Sequence, residues 1–84
     1  MDTLDTIRRL ANETLRVAEE SLRRATTLNE AGIDSLAAVE LVFVIEAHYG
    51  IGIGAEDLAR VRSLRDLAVI ADRLITREVL HHDA

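Results

Sequence analysis

Apolar residues recur at spacings of three and four along most of the chain. Leu4, Ile7, Ala11 and Leu15 form one stripe, with Arg8, Arg9, Glu13 and Arg16 largely off it, which predicts an amphipathic helix over 3–16. Asp2 or Thr3 can cap it, and Asp5 complements the dipole in its first turn. The stripe continues through Ala18, Leu22 and Ala25, so periodicity alone permits one helix to about Ala25. A second helix is expected over 35–49, a run with no glycine or proline. Only Glu40 and Glu46 are charged between Leu36 and Ala47. So apolar a helix must be covered on several sides or offer a surface to a partner. Gly50 ends it. The stretch 55–60 has Glu56 and Asp57 first and Arg60 last, the charge order of a short third helix. Ser63, with Asp66 three residues on, approximates a capping box. Leu64, Leu67, Ala68, Ala71, Leu74 and Ile75 then mark a fourth helix over 64–78, followed by a tail, 79–84, expected to fray. The pattern predicts an all-α protein: a small four-helix bundle of three longer helices and one short one, in a single domain over 1–84.

Composition narrows this picture. A chain of 84 residues can bury only a small core. Phe43 and Tyr49 are the only aromatics, so the core must be aliphatic, which suits helix-on-helix packing. The net charge of −5 disfavours nucleic acid and suits a partner with a basic docking patch. Every one of the ten basic residues is arginine, with no functional account of that choice. The absence of cysteine excludes disulfides, thiolate metal sites and cysteine nucleophiles. Any thiol in this protein's work must arrive as a prosthetic group. Neither a secretory leader nor a run long enough to span a bilayer is visible, so a cytoplasmic protein without membrane insertion is expected.

The stretch Leu28-Asn29-Glu30-Ala31-Gly32-Ile33-Asp34-Ser35-Leu36 carries the candidate chemistry. Gly32 permits a bend, and Asp34 or Ser35 can cap the helix that follows. A serine hydroxyl then stands beside free helix N–H groups and the positive end of a dipole, where a phosphate is tolerated. Most such serines are only caps. As a hydrolytic nucleophile Ser35 lacks a positioned base and the Gly-x-Ser-x-Gly elbow, so it reads as an acceptor worked on by another enzyme. The other constellations are weaker. Gly50-Ile51-Gly52-Ile53-Gly54 has neither a preceding strand nor a following Gly-Lys-Ser/Thr, and reads as a tight connection. Glu19-Glu20 and Glu56-Asp57 read as dipole partners on solvated faces. His48, His81 and His82 have no spacing that makes a metal site.

Gly32-Ile33-Asp34-Ser35-Leu36, followed by Val39-Glu40-Leu41, resembles the modification site of the acyl carrier protein family, including the carrier domains of polyketide and nonribosomal peptide synthases. The resemblance spans nearly the whole chain, with Asp-Ser-Leu as its specific part. It implies a non-enzymatic carrier in which Ser35 receives 4′-phosphopantetheine from coenzyme A through a phosphopantetheinyl transferase. The arm's thiol then holds acyl, polyketide or aminoacyl intermediates as thioesters. It also implies that the first helix ends near Leu15 to Val17 and that 17–34 is an ordered loop, with a short helical turn near Glu19 to Arg23. Val17, Leu22 and Leu28 would pin that loop to the core. Asp34 would present the serine, and Leu36, Glu40, Phe43 and Glu46 would meet partner enzymes, with a core position weighed equally for Phe43. Those partners would be acyl-loading, ketosynthase or condensation enzymes and tailoring enzymes. The sequence departs from fatty acid carriers in having fewer acids along the second helix, at Ala37, Ala47 and His48, and in its Arg60, Arg62 and Arg65. These departures favour a specialised pathway over housekeeping fatty acid synthesis, and the chain ends suggest a discrete, monomeric carrier. A helical protein–protein interaction module is the alternative from another class.

Overall fold

The computed structural model describes residues 2–82, with side chains described through Arg77. It contains α1 (Thr3–Leu15), α2 (Glu19–Arg24), α3 (Ser35–Tyr49), α4 (Ala55–Leu58) and α5 (Leu64–His82), with no strand among the described residues. The protein is an all-helical bundle. Helix α1 is the hub and packs on α5, α3 and α2, while α3 also packs on α5.

Helix α1 stops at Leu15, although the apolar stripe would carry it to Ala25. Arg16 turns into the left-handed region, with φ 59°, and its N–H donates to the Asn12 carbonyl at 3.0 Å. The Asn12 side chain then donates from Nδ2 to the Val17 carbonyl at 2.8 Å. These bonds satisfy the exposed end of the helix and turn the chain away. The segment 17–34, expected as a loop with a helical turn, holds a discrete helix, α2, one residue longer than that turn. Its Leu22 is only 2% exposed and is the plug that fixes the segment to the core.

Helix α4 ends at Leu58, two residues before the expected end, because the chain tightens there. Arg60 and Val61 donate to carbonyls three residues back, at Asp57 and Leu58. Helix α5 continues to His82, past the expected end at 78, since no glycine or proline interrupts it. Of the tail expected to fray, Asp83 and Ala84 lie outside the described residues. At the start of α5 the Ser63 and Asp66 side chains exchange hydrogen bonds with each other's backbone N–H, at 3.1 and 3.2 Å, which is a reciprocal capping box.

The core is aliphatic and takes side chains from every long helix. Ile7, Leu22, Ile33, Leu41, Ile45 and Leu67 are its largest fully buried members. Each contributes roughly 1.5–3 kcal/mol by leaving water. The stripes read from spacing omit Leu10 and Ile70, which are buried, and include Ala18, which is exposed. Only three-dimensional packing decides those edge positions.

Candidate functional site

The segment before α3 is a single turn closed at both ends. At its start, the Thr27 hydroxyl accepts from Glu30 N–H at 3.1 Å, and Glu30 Oε1 accepts from Thr27 N–H at 3.1 Å. The same carboxylate oxygen takes the N–H of Thr26 at 2.8 Å and the Thr26 hydroxyl. At its end, Gly32 sits at φ 81°, Gly32 N–H donates to the Asn29 carbonyl and Ile33 N–H to the Leu28 carbonyl. That is a Schellman closure, which needs a residue at ease with positive φ. Leu28 N–H donates to the Arg62 carbonyl at 2.9 Å and ties the turn to the approach of α5. Ala31 and Ile33 are buried, so the chain enters α3 from a fixed point.

Asp34, not Ser35, caps α3. Its backbone is extended and its Oδ1 accepts from Ala37 N–H at 2.8 Å. Ser35 is therefore the first helical residue. It is exposed, and among the described residues its hydroxyl is in no hydrogen bond. The N–H groups of Ser35 and Leu36 point out of the helix end without intrahelical partners, and the dipole there favours negative charge. Ser35 lines a cleft of about 480 Å³ between the 27–35 segment, α3 and the α4–α5 connection. Its lining is mostly apolar, with Leu28, Ile33, Val39, Leu58 and Val61, and Arg62 adds one positive charge.

Along α3, Leu36 is 70% exposed and Phe43 62%, so Phe43 is a surface residue. Val39 shares their face at the three- and four-residue spacing, and Glu40 is exposed beside it. The opposite side carries Leu41, Val42 and Ile45 into the core. Glu46 follows Phe43 by three residues on the same side of the helix. It is half-buried, and its Oε2 accepts from Ile53 N–H at 2.8 Å, which anchors the glycine-rich connection to α3. Reading the sequence brought out Asp34 and Ser35 and quoted Val39 within the motif without assigning it to a face, and it did not bring out the cleft wall at Leu58 and Val61 or the Thr27–Glu30 pair. The Thr27-x-x-Glu30 spacing is itself a capping-box signature and was the available signal.

The family model for the phosphopantetheine attachment site matches residues 5–69. The chain is 36% identical over 62 residues to an acyl carrier protein of Syntrophus aciditrophicus, covering 74% of each chain. It is also 36% identical over 58 residues to an acyl carrier protein homolog of Mycoplasmopsis pulmonis, covering 69% of this chain and 73% of that one. By these matches the chain belongs to the acyl carrier protein family, whose members are carriers and not catalysts. The family's prosthetic group is 4′-phosphopantetheine. The residues present fit it: a phosphodiester on Ser35 Oγ would lie at the positive end of α3, and the adjoining cleft would leave room for a flexible arm. No described helix is long and apolar enough to cross a membrane.

Proposed function

We propose that Ser35 is the phosphopantetheine attachment residue and that Asp34 presents it by capping α3. The observation that carries this reading is the exposed, unbonded hydroxyl on the first residue of α3, beside a cleft that can receive the arm. The arm supplies a thiol that carries acyl, polyketide or aminoacyl cargo. The chain supplies the helix end that receives the phosphate and the surface that visiting enzymes read. Leu36, Glu40 and Phe43 form that surface with Val39. Glu46 contributes charge from its far edge, less freely because its carboxylate already holds Ile53. The partners are a phosphopantetheinyl transferase, a loading enzyme, a ketosynthase or condensation enzyme, and tailoring enzymes. The exposed apolar face and the scarcity of acids along α3 support docking by contact more than by salt bridges, and with it a specialised pathway. The carrier works as a single-domain cytoplasmic monomer.

The test is to incubate the protein with coenzyme A, Mg²⁺ and a broad-specificity transferase and weigh it intact. A gain of one phosphopantetheine group is expected, and none in Ser35→Ala, which stays folded. No gain in the native protein, or a gain that persists in Ser35→Ala, overturns the assignment.

A further inference from the structure

A second concavity lies across the paired 25–28 and 61–65 segments from the Ser35 cleft. It has a volume of about 270 Å³ and is lined by Arg8, Arg23, Arg24 and Arg65, with Leu4, Leu22, Thr26 and the Ser63–Leu64 start of α5. A protein of net charge −5 thus places four of its ten arginines around one hollow with no carboxylate in its lining. Spread evenly, guanidinium groups would repel one another less, so the gathering calls for an anion.

The adjoining acids compensate the cluster only in part: Asp5 and Glu19 share a neighbouring hollow with Arg8 and Arg23. Asp5 reaches Arg8 only at 3.4 Å. Arg8 is the most enclosed arginine of the pairings described, at 26% side-chain exposure, and its Nε–H is buried without an acceptor. Glu20 pairs with Arg24 at 3.0 Å, but both side chains are about three-quarters exposed, where such a pair is worth little. At the rim, Glu30 is taken up by Thr26 and Thr27, and Asp66 by the N–H groups of Arg62 and Ser63. Among the described residues Arg23 and Arg65 have no ion-pair partner. The N–H groups of Leu64 and Arg65, at the start of the 19-residue α5, have no acceptor there either.

We propose that this cavity binds a phosphate-bearing small molecule through Arg8, Arg23, Arg24 and Arg65. Guanidinium forks match phosphate oxygens bidentately. The volume holds a phosphate or diphosphate group and is too small for a protein helix. The ligand is free phosphate or diphosphate, or the phosphate end of a nucleotide. The site is separate from Ser35 and its proposal stands independently of carrier loading.

The test follows the arginine Nε–Hε and backbone amide resonances of the full chain during titration. Sodium phosphate, sodium diphosphate and ADP are added separately, at constant ionic strength balanced with chloride. The expected result is saturable shifts at Arg8, Leu64 and Arg65 with a Kd of about 1 mM or tighter. Saturation by phosphate or diphosphate identifies the free anion as sufficient, and much tighter binding of ADP identifies the nucleotide end. Arg23→Gln and Arg65→Gln, both at exposed positions, each weaken binding roughly fivefold. Glu20→Gln tightens it slightly by removing a nearby negative charge, and Ser35→Ala leaves it unchanged. Arg77→Gln removes the same charge roughly 18 Å further along α5 and has no effect. Shifts that rise linearly without saturating overturn the proposal, as does an equal loss in Arg77→Gln. So does saturation by a glutamate peptide where all three phosphate compounds fail, which would assign the surface to an acidic protein partner.

Discussion

Glu30 shows how one side chain outside the Asp34–Ser35 pair organises the turn that leads into α3. Its carboxylate is held below the usual carboxylate range, first by the Thr26 hydroxyl, then by the Thr26 N–H, against a small desolvation penalty, with Thr27 adding further donors. A folded-state value depressed below the unfolded one contributes stability above the unfolded pKa, and that contribution is lost as pH falls through the folded value. The difference in melting temperature between the protein and Glu30→Gln should therefore be largest near neutrality and shrink in acid. A difference that stays constant with pH would show that the charge is not what organises the turn. Asp34 acts one step closer. Asp34→Ala should cost about 1 kcal/mol in urea unfolding, since Ala37 N–H loses its acceptor.

At the scale of the element, α3 has two apolar sides with different duties. Leu41 is fully buried, so Leu41→Ala should cost about 2–5 kcal/mol. Phe43 is exposed, so Phe43→Ala should change stability by no more than about 0.5 kcal/mol while weakening capture by a partner enzyme. Equal destabilisation by the two variants, read by denaturant midpoint, would contradict this division. The connection after α3 makes a separate prediction. Gly54 has φ −74° and ψ 162°, values proline adopts without strain, and an added Cβ meets nothing within 4 Å. Gly54→Pro should stabilise the protein by about 0.4–1 kcal/mol through the unfolded chain. A fall in melting temperature would mean that the connection needs glycine for another reason.

The whole molecule is a small core with a long, ordered excursion laid over it. Leu22 holds that excursion down from a helix of only six residues. Leu22→Ala should cost about 2–5 kcal/mol, and in so small a protein that is a large share of the total. Loading of Ser35 in this variant should fail at a lower temperature than in the native chain, because the turn that fixes Asp34 shares the same anchor. Further round the bundle, Asp57 and Arg73 pair at 2.7 Å and tie α4, whose Leu58 walls the Ser35 cleft, to α5. The serine, its cleft and the arginine cavity therefore depend on a common set of packed segments.

Helix positions, capping residues and the exposed serine at the start of α3 were legible in the chain because each depends on neighbours within a few residues. Period, turn chemistry and N-capping are local, and the closure at Gly32 and the cap at Asp34 draw on partners only a few residues away, from Leu28 to Ala37. The end of α1 was not legible from period, since the stripe runs on. It is decided by Arg16, Asn12 and the pull of Leu22 into a core that exists only once α3 and α5 have docked. The two faces of α3 were equally undecided, because nearly every residue on it is apolar and local pattern cannot say which side is covered. Tertiary packing made that choice, turning Ile45 inward and Phe43 outward, and it gathered arginines from α1, α2 and α5 that lie far apart in the chain around one cavity.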